Sequence, residues 1–427
     1  MLFQRLLKRL VRTGRLGLID AHGRRHHFGE PGEALVVVKL HDQRLHWRLA
    51  FNPALSVGEA YIDGTLTVAE GTLYQFLEVM ARNLDHLAKQ PLAALATRLG
   101  RRLGQANGLV SARRNVAHHY DLSGEFYGLF LDSDRQYSCA YFGSPDDDLE
   151  QAQANKKRHI AAKLLLSRPG LKVLDIGCGW GGLALYLARE TGAEVTGITL
   201  SVEQHRYAQA RAAQAGLSDR AGFQLRDYRE IEGKFDRIVS VGMFEHVGKR
   251  NYRDFFGRLD RLLADDGVAL LHSIGYCDAP GPINPFIAKY IFPGADLPSL
   301  SEVFAEVEDT GLIATDLEVL RLHYALTLKA WRERLEANWQ AAAALYDQRF
   351  CRMWQFYLAL CEVGFRHRST MVFQLQLAKK LDVLPRTRDY IGAWQRTHSA
   401  APAAEARVTA SDRTTERGER GEPAELA

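Results

Sequence analysis

The segment Val173-Leu174-Asp175-Ile176-Gly177-Cys178-Gly179-Trp180-Gly181-Gly182 constrains this chain more than any other. A short apolar run ends in a glycine cluster and passes into helix-forming sequence over residues 183–189. Without a Cβ, glycine lets the backbone turn sharply after a strand and lets a ligand come close. Alternation continues beyond it: residues 194–200 read as a strand, 203–214 as a helix, 223–225 as a third strand and 237–241 as a fourth. Asp265-Asp266-Gly267 reads as a turn into a fifth strand over 268–272. Strands alternating with helices make parallel βαβ units, which bind ligands at the carboxyl ends of their strands. The fold class is therefore α/β.

At 427 residues the chain is too long for that unit alone, since about 150 residues per domain is typical. Residues 115–395 form the larger domain. Residues 17–107 read as a smaller α/β domain, with strands at 34–40 and 44–49 and helices at 56–61 and 73–88. Residues 108–114 are basic and read as a linker. Residues 396–427 lack aromatics and hydrophobic periodicity, so they are predicted to be a disordered tail. Over residues 1–16, Leu2, Phe3, Leu6, Leu7, Leu10 and Val11 recur at helical spacing, with Arg5, Lys8, Arg9, Arg12 and Arg15 between them. Such a basic amphipathic helix either lies on an anionic membrane or packs its apolar stripe on the protein. Both readings stand at this level.

Composition excludes several classes. Hydrophobic residues at 46% and charged residues at 25% are ordinary for a globular protein. Lys plus Arg number 55 against 51 Asp plus Glu, and a net charge of +4 gives no reason to expect nucleic acid. Five cysteines without a CxxC pair read as free thiols of a reducing cytosol. No apolar run approaches the roughly 18 residues of a spanning helix, and the N-terminus is too charged for a secretory signal. A cytoplasmic protein is expected. The pairs His26-His27 and His118-His119 form no metal-ligand constellation, so no metal is expected.

Gly177, Gly179 and Gly182 fit GxGxxG, which raises a dinucleotide site. The second strand argues against it, because it ends Ile198-Thr199-Leu200-Ser201 where an acid would hold the ribose. Asp175 before the first glycine instead resembles the D-x-G-x-G loop of S-adenosylmethionine-dependent methyltransferases. There the glycines face the amino-acid part of the cofactor.

Three further segments narrow the resemblance. They are His119-Tyr120-Asp121-Leu122-Ser123 with Gln136-Tyr137-Ser138-Cys139-Ala140-Tyr141-Phe142, then Ser240-Val241-Gly242-Met243-Phe244-Glu245-His246-Val247-Gly248, and Leu271-His272-Ser273-Ile274-Gly275. With the glycine loop, they resemble cyclopropane-fatty-acyl-phospholipid synthases and the related mycolic acid cyclopropane synthases over residues 115–378. Gly58-Glu59-Ala60-Tyr61-Ile62-Asp63-Gly64 extends the likeness to the N-terminal domain, which is the two-domain layout of the bacterial phospholipid enzymes. The resemblance implies a class I S-adenosylmethionine-dependent methyltransferase fold. That fold is Rossmann-like, with a mostly parallel seven-stranded sheet and a smaller N-terminal α/β lipid-binding-like domain. It implies methylene transfer from S-adenosylmethionine to the cis double bond of an unsaturated phospholipid acyl chain, closing a cyclopropane ring with bicarbonate as base. It further implies a homodimer, peripheral on the inner membrane surface, whose partner is a phospholipid bilayer with unsaturated chains.

Carried over residue by residue, the bicarbonate site falls on Cys139, Glu245, His272, Ile274 through its backbone, and Tyr324. Cys361 matches a cysteine near the acyl channel. Cofactor positions fall on Tyr137 and Ser138 near the methionine carboxylate, Asp175, Gly177 and Gly179 in the loop, and Thr199 and Gln204 in place of the ribose acid. Asp227 and Tyr228 fall beside the adenine, with Trp180 alongside. Taken alone, Cys139 also reads as a small buried hydrophobe, His272 as a core histidine, and Tyr324 as a core aromatic. Residues 290–299 are predicted to give substrate access before a capping box, Ser299 to Glu302. The aromatic stretch 346–365 reads as channel lining or as helical core. Three alternatives remain: a relative that leaves a methyl- or methylene-branched chain, a methyltransferase of small soluble acceptors, and a non-catalytic lipid-binding protein.

Overall fold

The computed structural model describes residues 2–30, 35–88 and 122–398. The expected linker, and the tail beyond residue 398, lie outside them. At the N-terminus, α1 (Leu2–Leu10) precedes β1 (Arg15–Ile19), β2 (Arg25–Gly29) and β3 (Leu35–Leu40). Helices α2 (Leu45–Phe51) and α3 (Pro53–Ile62), strand β4 (Leu66–Glu70) and helix α4 (Leu73–Ala88) complete this part. Its sheet has the order β2-β1-β3-β4, with β1 and β3 parallel and the other pairs antiparallel.

Two expectations are corrected here. Residues 44–49 form no strand, because Leu45 and Leu49, four apart, both enter the core on one face of α2 while Trp47 stays 62% exposed. The helix expected over 1–16 ends at Leu10, and Gly14 at φ +87° turns the chain into β1. Its apolar stripe settles on the protein: Phe3, Leu7, Leu10 and Val11 are all buried. Burial of that stripe removes it from any membrane contact and leaves Arg5, Lys8 and Arg9 exposed on the other face.

The larger part begins with α5 (Gly124–Gly128) and α6 (Leu149–Lys163). Five strands and their helices follow: β5 (Lys172–Ile176), α7 (Gly182–Thr191), β6 (Glu194–Thr199), α8 (Val202–Gln214), β7 (Ala221–Leu225), β8 (Phe235–Val241), α9 (Tyr252–Leu262) and β9 (Leu263–Tyr276). Then come α10 (Pro285–Tyr290), α11 (Leu300–Glu308), β10 (Ile313–Val319), α12 (His323–Ala337), α13 (Trp339–Leu345), α14 (Gln348–His367), β11 (Thr370–Ala378) and α15 (Asp389–Thr397). The seven strands order as β10-β11-β9-β8-β5-β6-β7, parallel except that β11 runs antiparallel to both its neighbours. This is the class I methyltransferase architecture. Strands β5 and β8 are buried on both faces, as a sheet covered on each side by helices requires.

The turn expected at 265–267 is instead part of β9. Phe235 pairs with Leu263 and Arg237 with Val268, so residues 264–267 bulge outward opposite a single residue of β8. Residues 396 and 397, expected to open the tail, belong instead to α15, where the Thr397 hydroxyl donates to Ala393 O at 3.2 Å. Among the described residues, no helix is long and apolar enough to cross a membrane. All five cysteines are free.

Candidate active site

The carboxyl ends of β5, β6 and β8 open on one side of the sheet, and the glycine turn lies between the first of them and α7. Gly177, Gly179 and Gly181 take φ of +81°, +54° and +81°, conformations that cost a residue with a Cβ. The turn is pinned, since Gly177 N and Cys178 N both donate to Ile198 O at 2.9 Å. A Cβ on Gly177 would meet Met243 Cβ at 2.9 Å, whereas one on Gly179 would meet nothing within 4 Å. The first glycine therefore serves close packing and the second leaves open space over the loop.

That space is a pocket of about 1230 Å³, its open mouth included. All nine residues expected for the cofactor line it: Tyr137, Ser138, Asp175, Gly177, Gly179, Thr199, Gln204, Asp227 and Tyr228. They come from five separate stretches of sequence, and Trp180 joins them. Asp175 is buried at the end of β5, and its Oδ2 has no hydrogen-bond partner among the described residues. Burial raises its pKa to about 7, with Lys156 pulling the other way. An acceptor kept dry and unmatched on a pocket wall suits a cationic group such as an ammonium.

The polar residues around the rim are largely committed to one another. Thr199 Oγ1 donates to Gln204 Oε1 at 2.9 Å. Asp227 accepts from Arg229 Nε and Nη2, both at 2.8 Å, and caps the short turn that follows. The carboxylate expected to meet an adenine is thus held by a guanidinium, which fixes the edge of the pocket. Tyr137 and Tyr357 share a hydrogen bond of 2.8 Å between their hydroxyls.

None of the six residues expected for the chemistry lines this pocket. Glu245 lies in the short turn after β8, between the pocket residues Met243 and His246, and Oε1 accepts from Ile274 N at 2.6 Å. Its Oε2 is buried without a partner among the described residues, and burial raises the pKa to about 7. His272 lies two residues before Ile274 on β9, on the same face of the strand. Its Nδ1 is 3.2 Å from Gln374 Nε2, and burial lowers its pKa to about 3, so the ring is neutral. With the Gln374 amide as donor, the ring proton belongs on Nε2.

The other three gather around α12 and α14. Cys139 follows the pocket residue Ser138; it is buried, its Sγ donates to Ala140 O at 3.3 Å while Ala140 N donates to Thr327 Oγ1 at 3.0 Å, and its thiol is pushed well up by burial. Tyr324, one turn before Thr327 on α12, packs edge-on against Trp331 and tilted against Phe365. Cys361 on α14 has its thiol raised to about 12 by burial, and both it and Tyr324 act electrostatically on Tyr357. The segment expected to give access supplies Phe292, whose ring centroid is 5.8 Å from His246 and 5.9 Å from Tyr357, and the capping box from Ser299 to Glu302 forms. In the aromatic stretch, Trp354, Phe356 and Tyr357 are buried.

The comparisons with known proteins bear on this geometry. A family model described as mycolic acid cyclopropane synthetase matches residues 109–375, more than half of the chain. The chain belongs to that family. A cyclopropane-fatty-acyl-phospholipid synthase of Escherichia coli is 36% identical over 351 residues, covering 82% of this chain and 90% of the relative. A probable fatty acid methyltransferase of Pseudomonas putida is 43% identical over 271 residues, 62% of this chain and 68% of the relative. Among solved structures, a mycolic acid cyclopropane synthase complexed with SAH and CTAB is 36% identical, with a TM-score of 0.59 over 62% of this chain and 97% of that one. As a family member the protein is an S-adenosylmethionine-dependent methyltransferase.

Sequence reasoning missed two residues of this family member's site. Lys156, on α6, is 1% exposed and borders the pocket; its Nζ donates to Gln136 Oε1 and Ser138 Oγ, each at 2.7 Å. Burial lowers its pKa to about 8, partly offset by Asp132. A lysine between Asn155 and Lys157 in a polar helix carries no local sign of burial. His246 lines the pocket, and burial lowers its pKa to about 4. In the sequence it stands out only as the neighbour of Glu245.

Proposed function

We propose that the protein transfers a methylene group from S-adenosylmethionine to the cis double bond of unsaturated acyl chains in membrane phospholipids, closing a cyclopropane ring. The observation that carries this reading is the convergence of nine separately expected residues on one pocket. Asp175 fits the cofactor because its buried, unmatched oxygen is an acceptor for the ammonium of a methionine moiety. Ser138, accepting from Lys156, has its own proton free to donate to the carboxylate of that moiety. Bound S-adenosylmethionine supplies the methyl group at this site.

A small oxyanion fits behind the pocket. Glu245 Oε2 is buried without a partner among the described residues, and a carboxyl with a pKa of about 7 keeps a proton to donate for much of the physiological range. His272, neutral with its proton on Nε2, is the other donor that would hold bicarbonate, and the Ile274 amide, given to Glu245 Oε1, keeps that carboxyl in place. When bound there, bicarbonate supplies the base. The protein's task is to keep the two held groups dry and in line, and alignment alone can lower a barrier by about 7–11 kcal/mol at best. Tyr137 lines the pocket with its ring stacked on the buried Trp331 at 5.1 Å, a packing that helps to keep water out of this end.

Purified protein, methyl-labelled S-adenosylmethionine and unsaturated phospholipid vesicles test the reading, with the product solved by NMR. A labelled cyclopropane carbon supports it. No transfer to lipid would overturn it. A methyl or methylene branch is the second reading, favoured by the likeness to the Pseudomonas putida fatty acid methyltransferase. Glu245→Gln and His272→Ala should each cut turnover while cofactor affinity survives.

A further inference from the structure

The buried stripe of α1 removes the obvious membrane contact, yet the same corner of the molecule offers another. Trp47 is 62% exposed and Phe51 76% exposed, the two most exposed aromatic side chains among the described residues. They lie one helical turn apart on α2, stacked with ring centroids 6.1 Å apart. Leu45 and Leu49 are fully buried, so α2 is anchored by its inner face and the aromatics are spare to the fold. Helix α1 packs directly on α2 and turns Arg5, Lys8 and Arg9 to solvent. Arg44 is exposed at the start of α2. No Asp or Glu occurs in residues 1–19 or 43–58, so the two helices carry cations alone.

We propose that the outer faces of α1 and α2 seat the protein on an anionic lipid bilayer, with Trp47 and Phe51 entering the headgroup region. The inference rests on the reading that the substrate is a membrane lipid, and names the surface that reaches it. Aromatic rings favour the boundary between water and acyl chains, and basic residues beside them are drawn to anionic headgroups. Charge also decides the occupant. A second copy bound through the same patch would set cations against cations, which is costly; an anionic bilayer meets them with opposite charge. The face is tied to the active site as well. Arg48 of α2 and Lys289 of α10 both pair with Glu59, at 2.8 and 2.7 Å, and α10 leads to Phe292 beside His246. Docking would therefore hold the substrate-access segment at the level of the membrane.

The test uses the full chain, vesicles of phosphatidylcholine with or without phosphatidylglycerol, and co-sedimentation. Trp47→Ser/Phe51→Ser should weaken binding about tenfold on phosphatidylglycerol vesicles. Arg5→Glu/Arg9→Glu should weaken it by at least as much on those vesicles, and salt should reproduce that loss. Unchanged binding in both variants would overturn the proposal. So would an oligomer of the parent chain that the aromatic variant loses while vesicle binding stays intact, because the patch would then serve a second copy. Methyl transfer to the same phospholipid dispersed in detergent micelles separates the two readings. Parent and variants should match there within about twofold, and a variant that lost this activity would count against a docking role. Absence of transfer by the parent chain would defeat the proposed reaction and leave the sedimentation result to judge the surface by itself.

Discussion

Glu245 Oε1 accepts the Ile274 amide proton at 2.6 Å, so the turn after β8 is tied to the end of β9 by one carboxylate whose other oxygen is buried and unmatched. One oxygen is used by the fold, and the second is the one that would meet the proposed oxyanion. Glu245→Gln keeps an acceptor for Ile274 but lacks the titratable proton. Turnover is expected to fall by about 10²-fold or more, with S-adenosylmethionine affinity within about threefold of the parent by calorimetry. Equal losses of both would show that Glu245 supports the cofactor pocket instead.

The same variant has a signature in stability. Burial raises the Glu245 pKa from its ordinary 4.5 to about 7, so folding takes up a proton between those values. The contribution is present in full below pH 4.5 and is lost as pH rises through about 7. Urea unfolding of the parent and Glu245→Gln at pH 5 and pH 8 should therefore show the variant gaining relative stability at the higher pH. A constant difference would mean the carboxyl is not buried in solution.

Asp175 predicts a pH dependence of binding. Its carboxyl, raised to about 7 by burial, becomes a better partner for an ammonium as it ionises. Affinity for S-adenosylmethionine should rise between about pH 6 and pH 8, and Asp175→Asn should flatten that rise and weaken binding by about tenfold. Isothermal titration across this range checks it.

Lys156 is buried against two acceptors, Gln136 Oε1 and Ser138 Oγ. Lys156→Met keeps the bulk and removes both donors. Hydrogen bonds to charged groups contribute about 1.5–3 kcal/mol each, offset by the cost of burying the ammonium. The expected result is a weaker cofactor Kd, by about tenfold, and a small change in melting temperature. A collapse in stability with normal affinity would make the lysine purely structural.

The glycine turn separates packing from binding. Gly177→Ala forces a Cβ to 2.9 Å from Met243 at φ +81°, and should destabilise by about 1–3 kcal/mol. Gly179→Ala meets nothing within 4 Å, so its larger effect should fall on cofactor affinity. Thermal melts with and without S-adenosylmethionine distinguish the two.

Much of the site is legible in the sequence. The alternation around β5, β6 and β8 and the D-x-G-x-G loop are short-range patterns, and the segments matching the family carried five of the nine expected pocket residues, Tyr137, Ser138, Asp175, Gly177 and Gly179, while Thr199, Gln204, Asp227 and Tyr228 follow from the ends of later strands and the helix after β6. Other readings failed where a local pattern had two solutions. Leu45, Trp47 and Leu49 alternate like a strand, but Leu45 and Leu49 also share a helix face, and burial against α1 and the sheet chose the helix. Asp265-Asp266-Gly267 has turn residues, yet pairing with β8 and β11 carried the strand through as a bulge.

What the chain's order alone determined was local: the glycine turn, the capping box at Ser299, and the longer periodic helices. Tertiary structure decided which side of each element met the interior. It buried the stripe of α1 while leaving Trp47 and Phe51 outside, and it brought Lys156 under Ser138 across 18 residues of sequence. Those outcomes turn on apolar area hidden between distant segments and on hydrogen bonds that close only after folding, neither of which a local pattern encodes.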